Sequence, residues 1–501
     1  MKLEDFPEEI KPDLIPSPSG HLVYHCLGCG REYEIDSLLY TCPDCGKVFL
    51  IQDLDQDHLA RRTGVEWQRI FDYRKMLNIP ALKGVFLFHE FLAPVIPLED
   101  VVYLGEGHTP IIAANDAMTD MVGTEFYFKN DGLNPSASFK DRGMAAATSF
   151  LNHLARKKGF TEILSVCAST GDTSAAAALY AAYLAGVLKS AVLLPHGKVT
   201  PQQLSQPLGS GANVFELPGV FDDCMKVVEH LAENYDVALL NSKNSWRVLG
   251  QASYAFEIAQ DFDYEIKDLS LFVPIGNAGN MTAVLSGLLK FERFGVIQGL
   301  PRVFGVQSTH ANPVFRYYAD PPQKRQYKPV VVQPSVAQAA MIGNPVSMPR
   351  VLKLVQEYEE RAGGPRFFVV QVDEQLIMDS MLQANRNGHV ACTQGGESLA
   401  GLRQALAQGL LKQGDKAVLD STAHFLKFAE FQTTYFKDNF APEFGIKAKP
   451  ELVNEPAYIR PKGLKRLPEP GVRLEPEEMQ AFVQAAAKEI ARALGVKPKK
   501  G

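Results

Sequence analysis

Asn134-Pro135-Ser136-Ala137-Ser138-Phe139-Lys140-Asp141-Arg142-Gly143 is a polar turn that runs out where a helix-forming run begins, at about Met144. Pro135 biases Asn134 away from helical angles, and Ser136 and Ser138 can bond to the local backbone. Lys140 therefore falls near the unpaired N–H groups that open a helix predicted over 144–157. Those groups disfavour a cation, so a partly buried lysine there gives up its proton more easily than one in water. A neutral amine can attack a carbonyl and hold an aldehyde as a Schiff base. Taken alone, Lys140 beside Asp141 and Arg142 reads as an ordinary solvated lysine, so its chemistry depends on the rest of the chain.

On either side of this turn the sequence alternates short apolar runs, glycine-containing polar loops and helical stretches. A strand over 163–167 empties into Ala168-Ser169-Thr170-Gly171-Asp172-Thr173-Ser174, followed by a helix over 175–185. Strands over 191–195 and 213–217 follow. A second set begins with a strand over 271–274, the loop Ile275-Gly276-Asn277-Ala278-Gly279-Asn280 and a helix from Met281, and continues with strands over 303–306, 367–372 and 417–419. The strands are short and apolar without clean alternation, which favours burial on both faces. The pattern predicts an α/β chain with two open parallel-sheet domains. The larger is discontinuous, built from 61–140 and 246–440, and the smaller covers 141–245.

At 501 residues and 46% hydrophobic, the chain can bury cores for at least two domains. A formal charge of −6 gives no basic surface for nucleic acid. No apolar run reaches the roughly 20 residues of a membrane span, and the first residues lack the apolar region of a signal peptide, which fits a cytoplasmic enzyme. Seven cysteines, few and odd in number, argue against a disulfide framework.

Four of them fall early, as Cys26-Leu27-Gly28-Cys29 and Cys42-Pro43-Asp44-Cys45, with Gly30 and Gly46 placed to ease a tight knuckle after each pair. Four thiolates so spaced can close tetrahedrally on a structural Zn²⁺, which predicts a zinc ribbon over 20–50 within an N-terminal segment 1–60. A small module with unmetallated thiols is the alternative, and a catalytic zinc is disfavoured because four thiolates leave no open position for water. Cys167, Cys224 and Cys392 need be no more than small buried hydrophobes. After Phe440 the texture changes, with Pro442, Pro450, Pro456, Pro461, Pro468, Pro470 and Pro476 predicting a wrap or linker over 441–501 that ends in a helix over 476–494. That helix could dock on its own chain or on a second copy in a homodimer; composition does not separate these.

Several loops carry donors. The 276–280 loop follows a strand and opens a helix, so its N–H groups could cradle a phosphate, although an ordinary βα turn has the same form. Asp420-Ser421-Thr422-Ala423-His424-Phe425-Leu426-Lys427 lies at the end of a late strand, where Thr422 is either a helix cap or a hydroxyl facing a ligand. In Asn241-Ser242-Lys243-Asn244-Ser245-Trp246-Arg247, followed by Gln251, the arginine offers a rigid fork for an anion, though a surface salt bridge is the default for any one cation.

In combination, the Lys140 phrase, the two glycine-containing loops and Leu104-Gly105-Glu106-Gly107-His108-Thr109-Pro110 resemble the threonine synthases, within the fold-type II (tryptophan synthase β-like) pyridoxal-phosphate enzymes. The resemblance spans the chain from the cysteine pairs to about residue 435. It implies pyridoxal 5'-phosphate as cofactor and conversion of a small-molecule substrate, O-phospho-L-homoserine, with water into L-threonine and phosphate. It makes Lys140 the cofactor lysine and catalytic base, Gly276, Asn277, Ala278, Gly279 and Asn280 the cofactor-phosphate residues, and Thr422 the neighbour of the pyridine nitrogen. Ser169, Thr170, Gly171 and Thr173 become the substrate-carboxylate loop. Ser242, Asn244 and Arg247, with Lys198 from Pro195-His196-Gly197-Lys198-Val199, receive the substrate phosphate. The sequence departs from many fold-type II enzymes at Asp172, where asparagine usually faces the cofactor's 3-oxygen and an aspartate would repel a phenolate. Two other readings stay open: a paralogue replacing a β- or γ-substituent on phosphoserine or a related amino acid, as a cysteate synthase does, and a zinc-ribbon interaction protein with an inactive enzyme-like body.

Overall fold

Three sheets organise the computed structural model, which describes residues 1–169, 171–197, 201–219 and 221–499. The chain divides into two compact units, Met1–Lys447 and Ala448–Gly501. Within the first unit the earliest sheet is small and antiparallel. β1 (Leu22–Cys26) lies between β2 (Glu32–Glu34) and β3 (Phe49–Asp53), with Cys26 opposite Phe49.

The largest sheet has six strands in the order β12-β11-β10-β13-β5-β4. These are β4 (Ile111–Ala113), β5 (Phe126–Asn130), β10 (Leu269–Pro274), β11 (Arg302–Ser308), β12 (Phe367–Val372) and β13 (Lys416–Ser421). All pairings are parallel except that of the edge strand β4 with β5, so this sheet is mixed. β10 is buried at every position, as a strand covered by helices on both faces must be. The third sheet has four parallel strands in the order β8-β7-β6-β9: β6 (Ile163–Ala168), β7 (Leu188–Pro195), β8 (Asn213–Leu217) and β9 (Val237–Leu239). The chain is thus an α/β protein with two sheet-bearing domains besides its cysteine module.

The segment before β4 is held by aromatic packing. Phe71 stacks on Phe291 at 5.8 Å, Phe88 and Phe91 meet Phe256 at 5.3 and 6.1 Å, and Phe256 stacks on Phe291 at 4.1 Å. Such rings bury large areas and fix orientation, tying the early chain to helices Ser253–Asp261 and Gly279–Arg293.

The helix after the opening turn spans Lys140–Lys158, four residues earlier than expected. Helices also follow β6 (Asp172–Tyr183) and β10 (Gly279–Arg293), each two or three residues ahead of its predicted start. In the second unit a helix spans Pro476–Ala493, opened by a capping box between Glu475 and Glu478, with Met479, Val483 and Ile490 exposed along it. Among the described residues no helix is long and apolar enough to cross a membrane.

Candidate active site

The loops singled out in the sequence follow adjacent strands. In the large sheet β10, β13 and β5 are neighbours, and beyond their C-terminal ends lie Gly276–Asn280, Thr422 and the Lys140 turn. In the small sheet the ends of β6 and β9 carry Ser169–Thr173 and Asn241–Arg247, and Asn241 joins them by exchanging side-chain bonds with both backbone groups of Ala168 at 2.7 and 3.0 Å. Ligands collect at such strand ends in open α/β sheets.

The Lys140 turn is zipped to the Thr422 segment: the Phe139 N–H donates to the Thr422 carbonyl at 2.8 Å, and the His424 N–H to the Ala137 carbonyl at 3.0 Å. The helix starts at Lys140 because its first turn is clamped. Asp141 accepts from the Ser136 N–H at 2.7 Å. Arg142, fully buried, reaches Asp131 through Nε and Nη2 at 2.8 and 2.7 Å, and Glu257 through Nη1 and Nη2 at 2.6 and 2.8 Å. Lys129, equally buried, adds ion pairs to Glu257 at 3.0 Å and Asp261 at 2.7 Å. The two cations hold the Glu257 carboxyl well below the usual range despite its burial.

Gly143 and Gly250 let the helix Ser245–Gln251 cross the lysine helix at backbone contact. A Cβ at Gly250 would lie 2.1 Å from the Arg142 carbonyl oxygen, and one at Gly143 would lie 2.9 Å from that of Arg247. The crossing brings Arg247 beside Lys140. Burial, with the nearby Arg247 charge, pushes the Lys140 amine down to about 7, against the opposing pull of Asp172, Cys167 and Asp420. Arg247 is 3% exposed. It has no carboxylate partner among the described residues; Nη1 donates to the Leu240 carbonyl at 3.1 Å and Nε has no acceptor. Leaving a buried guanidinium with an unpartnered N–H costs free energy that an arriving anion would offset.

At the 276–280 loop, Ala278 takes a left-handed φ of +60°, and a side chain on Gly276 would press within 3.0 Å of the Ala340 backbone. In front of the helix start there is room: a Cβ on Gly279 would meet nothing nearer than 3.9 Å, where Gln251 Oε1 and Ser347 Oγ lie. Gln251 also reaches the first turn of the lysine helix, its Nε2 lying 2.9 Å from a Cβ on Gly143, so its amide stands between the two helix starts. Asn280 donates to Asp420 at 2.7 Å. Asn277 ties the loop to Ser347, whose N–H bonds its carbonyl at 3.1 Å.

Thr422 Oγ1 lies 3.6 Å from Cys392 Sγ, and both residues are buried. Asp172, 5% exposed, forms an ion pair with Lys427 at 3.0 Å, and Lys427 also donates to the Ser136 carbonyl at 2.9 Å. Ser169 and Gly171 form a local turn, with Ser169 Oγ accepting from the Gly171 N–H at 3.2 Å, and Thr173 is part-buried in the first turn that follows. Asn244 is taken up as a helix cap, accepting from the Trp246 N–H at 2.9 Å and donating to the Leu239 carbonyl at 2.9 Å. Ser242 offers its carbonyl to Arg350. Thr170 and Lys198 lie outside the described residues.

Several buried polar atoms near Lys140 therefore lack partners: Arg247 Nε, Asp420 Oδ1, Ser136 Oγ, Ser138 Oγ and Asp141 Oδ1. Orphaned groups cost free energy unless a ligand satisfies them. The donors among them, the Ser136 and Ser138 hydroxyls and Arg247 Nε, together with the open helix start at Gly279 and the low-pKa amine, fit an anionic ligand bearing an aldehyde and a phosphate, such as pyridoxal phosphate. Lys427, which reads in the sequence as structural, enters the site through its contact with Asp172, and Gln251 and Asp420, which the sequence places only as neighbours in their segments, stand in it as well.

The four early cysteines also converge. Their sulfurs all lie within 4.8 Å of one another, and glycines at left-handed φ of +74° and +69° follow each pair. The spacing suits the tetrahedron set by Zn–S bonds of about 2.3 Å, making this a candidate metal site.

A family model described as pyridoxal-phosphate dependent enzyme matches residues 102–422, so the chain belongs to that class of enzymes. Within it, the chain belongs to the threonine synthase family. It is 33% identical over 406 residues to the threonine synthase of Methanocaldococcus jannaschii, covering 81% of this chain and 93% of the relative. It is 32% identical over 434 residues to threonine synthase 2, chloroplastic, of Arabidopsis thaliana, covering 86% and 80%. Among solved structures, threonine synthase from Escherichia coli shares the fold with a TM-score of 0.61 at 20% identity, over 82% of this chain and 90% of that one.

Proposed function

We propose that this chain converts O-phospho-L-homoserine and water into L-threonine and phosphate with pyridoxal phosphate as cofactor. The observation that carries the reading is the buried, carboxylate-free guanidinium of Arg247 set beside the Lys140 amine: an anion receptor next to a carbonyl-binding base.

Lys140 Nζ would hold the cofactor's aldehyde carbon, and the N–H groups of Gly276–Asn280 its phosphate at the positive end of the following helix. When bound, the cofactor supplies an electron-withdrawing ring that acidifies the protons along an attached amino acid. Lys140 takes the substrate's α-proton at Nζ and, as a neutral amine near pH 7, shuttles protons at the neighbouring carbons. Arg247 binds the substrate's phosphate with its planar fork and holds it as the γ C–O bond breaks and water oxygen joins the β-carbon. Ser169, Gly171 and Thr173, with Thr170, take the carboxylate. Thr422 offers the ring nitrogen a neutral hydroxyl, and Lys427 neutralises Asp172 so that it can sit near the cofactor's 3-oxygen. Lys198 and Ser242 add donors on the phosphate side. The four cysteines hold a structural zinc, and seven cysteines outside any disulfide suit a reducing cytoplasm.

Purified protein given pyridoxal phosphate and phosphohomoserine is expected to release phosphate and threonine in equal amounts. Phosphoserine with sulfite is the contrasting arm: cysteate from it, with no threonine from phosphohomoserine, would replace this reading with the paralogous one.

A further inference from the structure

The cysteine module has no atom in the site described above, yet hydrogen bonds lead from it to the helix that carries Arg247. Phe49, opposite Cys26 in the module's sheet, offers its carbonyl to two groups at once, Ser245 Oγ at 3.0 Å and Arg350 Nε at 2.7 Å. Tyr24, on the central strand, accepts from the Trp246 indole N–H at 3.2 Å and donates its own proton to the Ser37 carbonyl at 3.1 Å. Ser245 and Trp246 form the first turn of the Ser245–Gln251 helix, immediately before Arg247.

Arg350 completes the brace. It is fully buried, and among the described residues its guanidinium meets neutral acceptors: the carbonyls of Phe49, Ser242 and Lys243 and the hydroxyls of Ser245 and Ser347. One side chain thus links the module's strand β3, the 242–245 turn and the residue that bonds Asn277. Trp246 also stacks on Phe150 of the lysine helix at 4.4 Å and 16°. The indole is thus held at its N–H edge by Tyr24 and on one ring face by Phe150, which restrains the turn that leads into Arg247.

We propose that the N-terminal cysteine module is a positioning buttress for Arg247, setting the orientation of the guanidinium through Tyr24–Trp246 and through Phe49 with Ser245 and Arg350. The proposal rests on Arg247 receiving the substrate phosphate. The module then contributes to substrate binding without touching substrate, and loosening it weakens phosphate recognition while leaving the cofactor on Lys140.

The test is a double-mutant cycle on the full-length holoenzyme. Tyr24→Phe with Ser245→Ala removes the acceptor and donor that meet the Arg247 helix, both conservatively enough to keep the fold, and Arg247→Lys removes the fork. For each form, KM and kcat are measured with phosphohomoserine, and the affinity for inorganic phosphate is read from bound-cofactor fluorescence. The expected result is a 5- to 20-fold rise in KM and in the phosphate dissociation constant for the Tyr24/Ser245 variant, with kcat and cofactor content within twofold of the parent, and constants no worse than those of Arg247→Lys alone when the changes are combined. A Tyr24/Ser245 variant with parental phosphate affinity, or losses that multiply with those of Arg247→Lys, would overturn the buttress while leaving Arg247 as receptor. If Arg247→Lys itself changes neither constant, the receptor reading fails and the buttress with it.

Discussion

Asp172 and Lys427 form an ion pair at 3.0 Å, although they come from a helix start after the first strand of the small sheet and a turn after the last strand of the large one. In the proposed site this pairing offsets the repulsion that an aspartate would bring to the cofactor's 3-oxygen. In the fold the Asp172 carboxyl lies against the Lys427 amine, which also donates to the Ser136 carbonyl. Removing the cation alone should therefore be worse than removing both charges. Lys427→Met is expected to lower kcat/KM by roughly 10- to 100-fold, and Asp172→Asn added to it should recover most of that loss, since no lone buried charge remains. Steady-state kinetics of the two forms check this.

The Lys140 amine supplies a pH dependence with a definite sign. In the folded chain without cofactor it is pushed down to about 7, far below the lysine value in an unfolded chain. The neutral, nucleophilic form therefore grows as pH rises through about 7. The rate at which cofactor-free protein captures pyridoxal phosphate, followed by absorbance, should rise with pH and level off above about 8. For the same reason folding is favoured progressively between about pH 7 and 10.5, where the unfolded lysine still binds a proton and the folded one does not. Arg247→Met removes one of the two causes of the depression and should move the inflection upward.

Arg142 is expected to matter for stability more than for chemistry. Its loss as Arg142→Met would leave Asp131 and Glu257 buried with only Lys129 to oppose them, a cost on the order of 3–5 kcal/mol for breaking a buried pair. A fall in thermal midpoint, with the cofactor still captured by whatever fraction remains folded, is the predicted outcome.

The cysteine cluster predicts one zinc per chain by elemental analysis of protein purified without chelator. Cys29→Ser should reduce that content and lower the thermal midpoint, because metal binding at a closed four-thiolate site stabilises the fold it requires. Zinc at parental levels in the variant would show that these four sulfurs are not the ligands.

The loops of the site were legible because glycine, proline and small hydroxyl residues stand where short apolar strands end, as at Gly276 and Ser169. The elements that escaped are those whose composition is set by distant partners. β5 opens on Phe126-Tyr127-Phe128 but ends on Lys129 and Asn130, which look like the start of a polar loop, yet both are buried, Lys129 through Glu257 and Asp261 more than 125 residues away. β9 is only three residues long. The start of the lysine helix was placed late because Asp141, Arg142 and Gly143 look like a turn; in the fold each is consumed by the helix's own surroundings, Gly143 by the crossing against Arg247. Arg350 and Lys427 gave no local signal, since their acceptors lie over 100 residues from them along the chain, apart from Ser347.

The central claim is that one amine among 501 residues carries the cofactor. Lys290 is the instructive competitor, a lysine whose amine burial lowers to about 8 but whose Nζ is already bonded to the Phe91 carbonyl at 2.7 Å. Reduction of the holoenzyme with borohydride, followed by peptide mass analysis, reads the attachment directly. The account predicts the cofactor's mass on the peptide containing Lys140 and on no other; label at Lys290, Lys129 or Lys427, or none at all in protein that makes threonine, would contradict it.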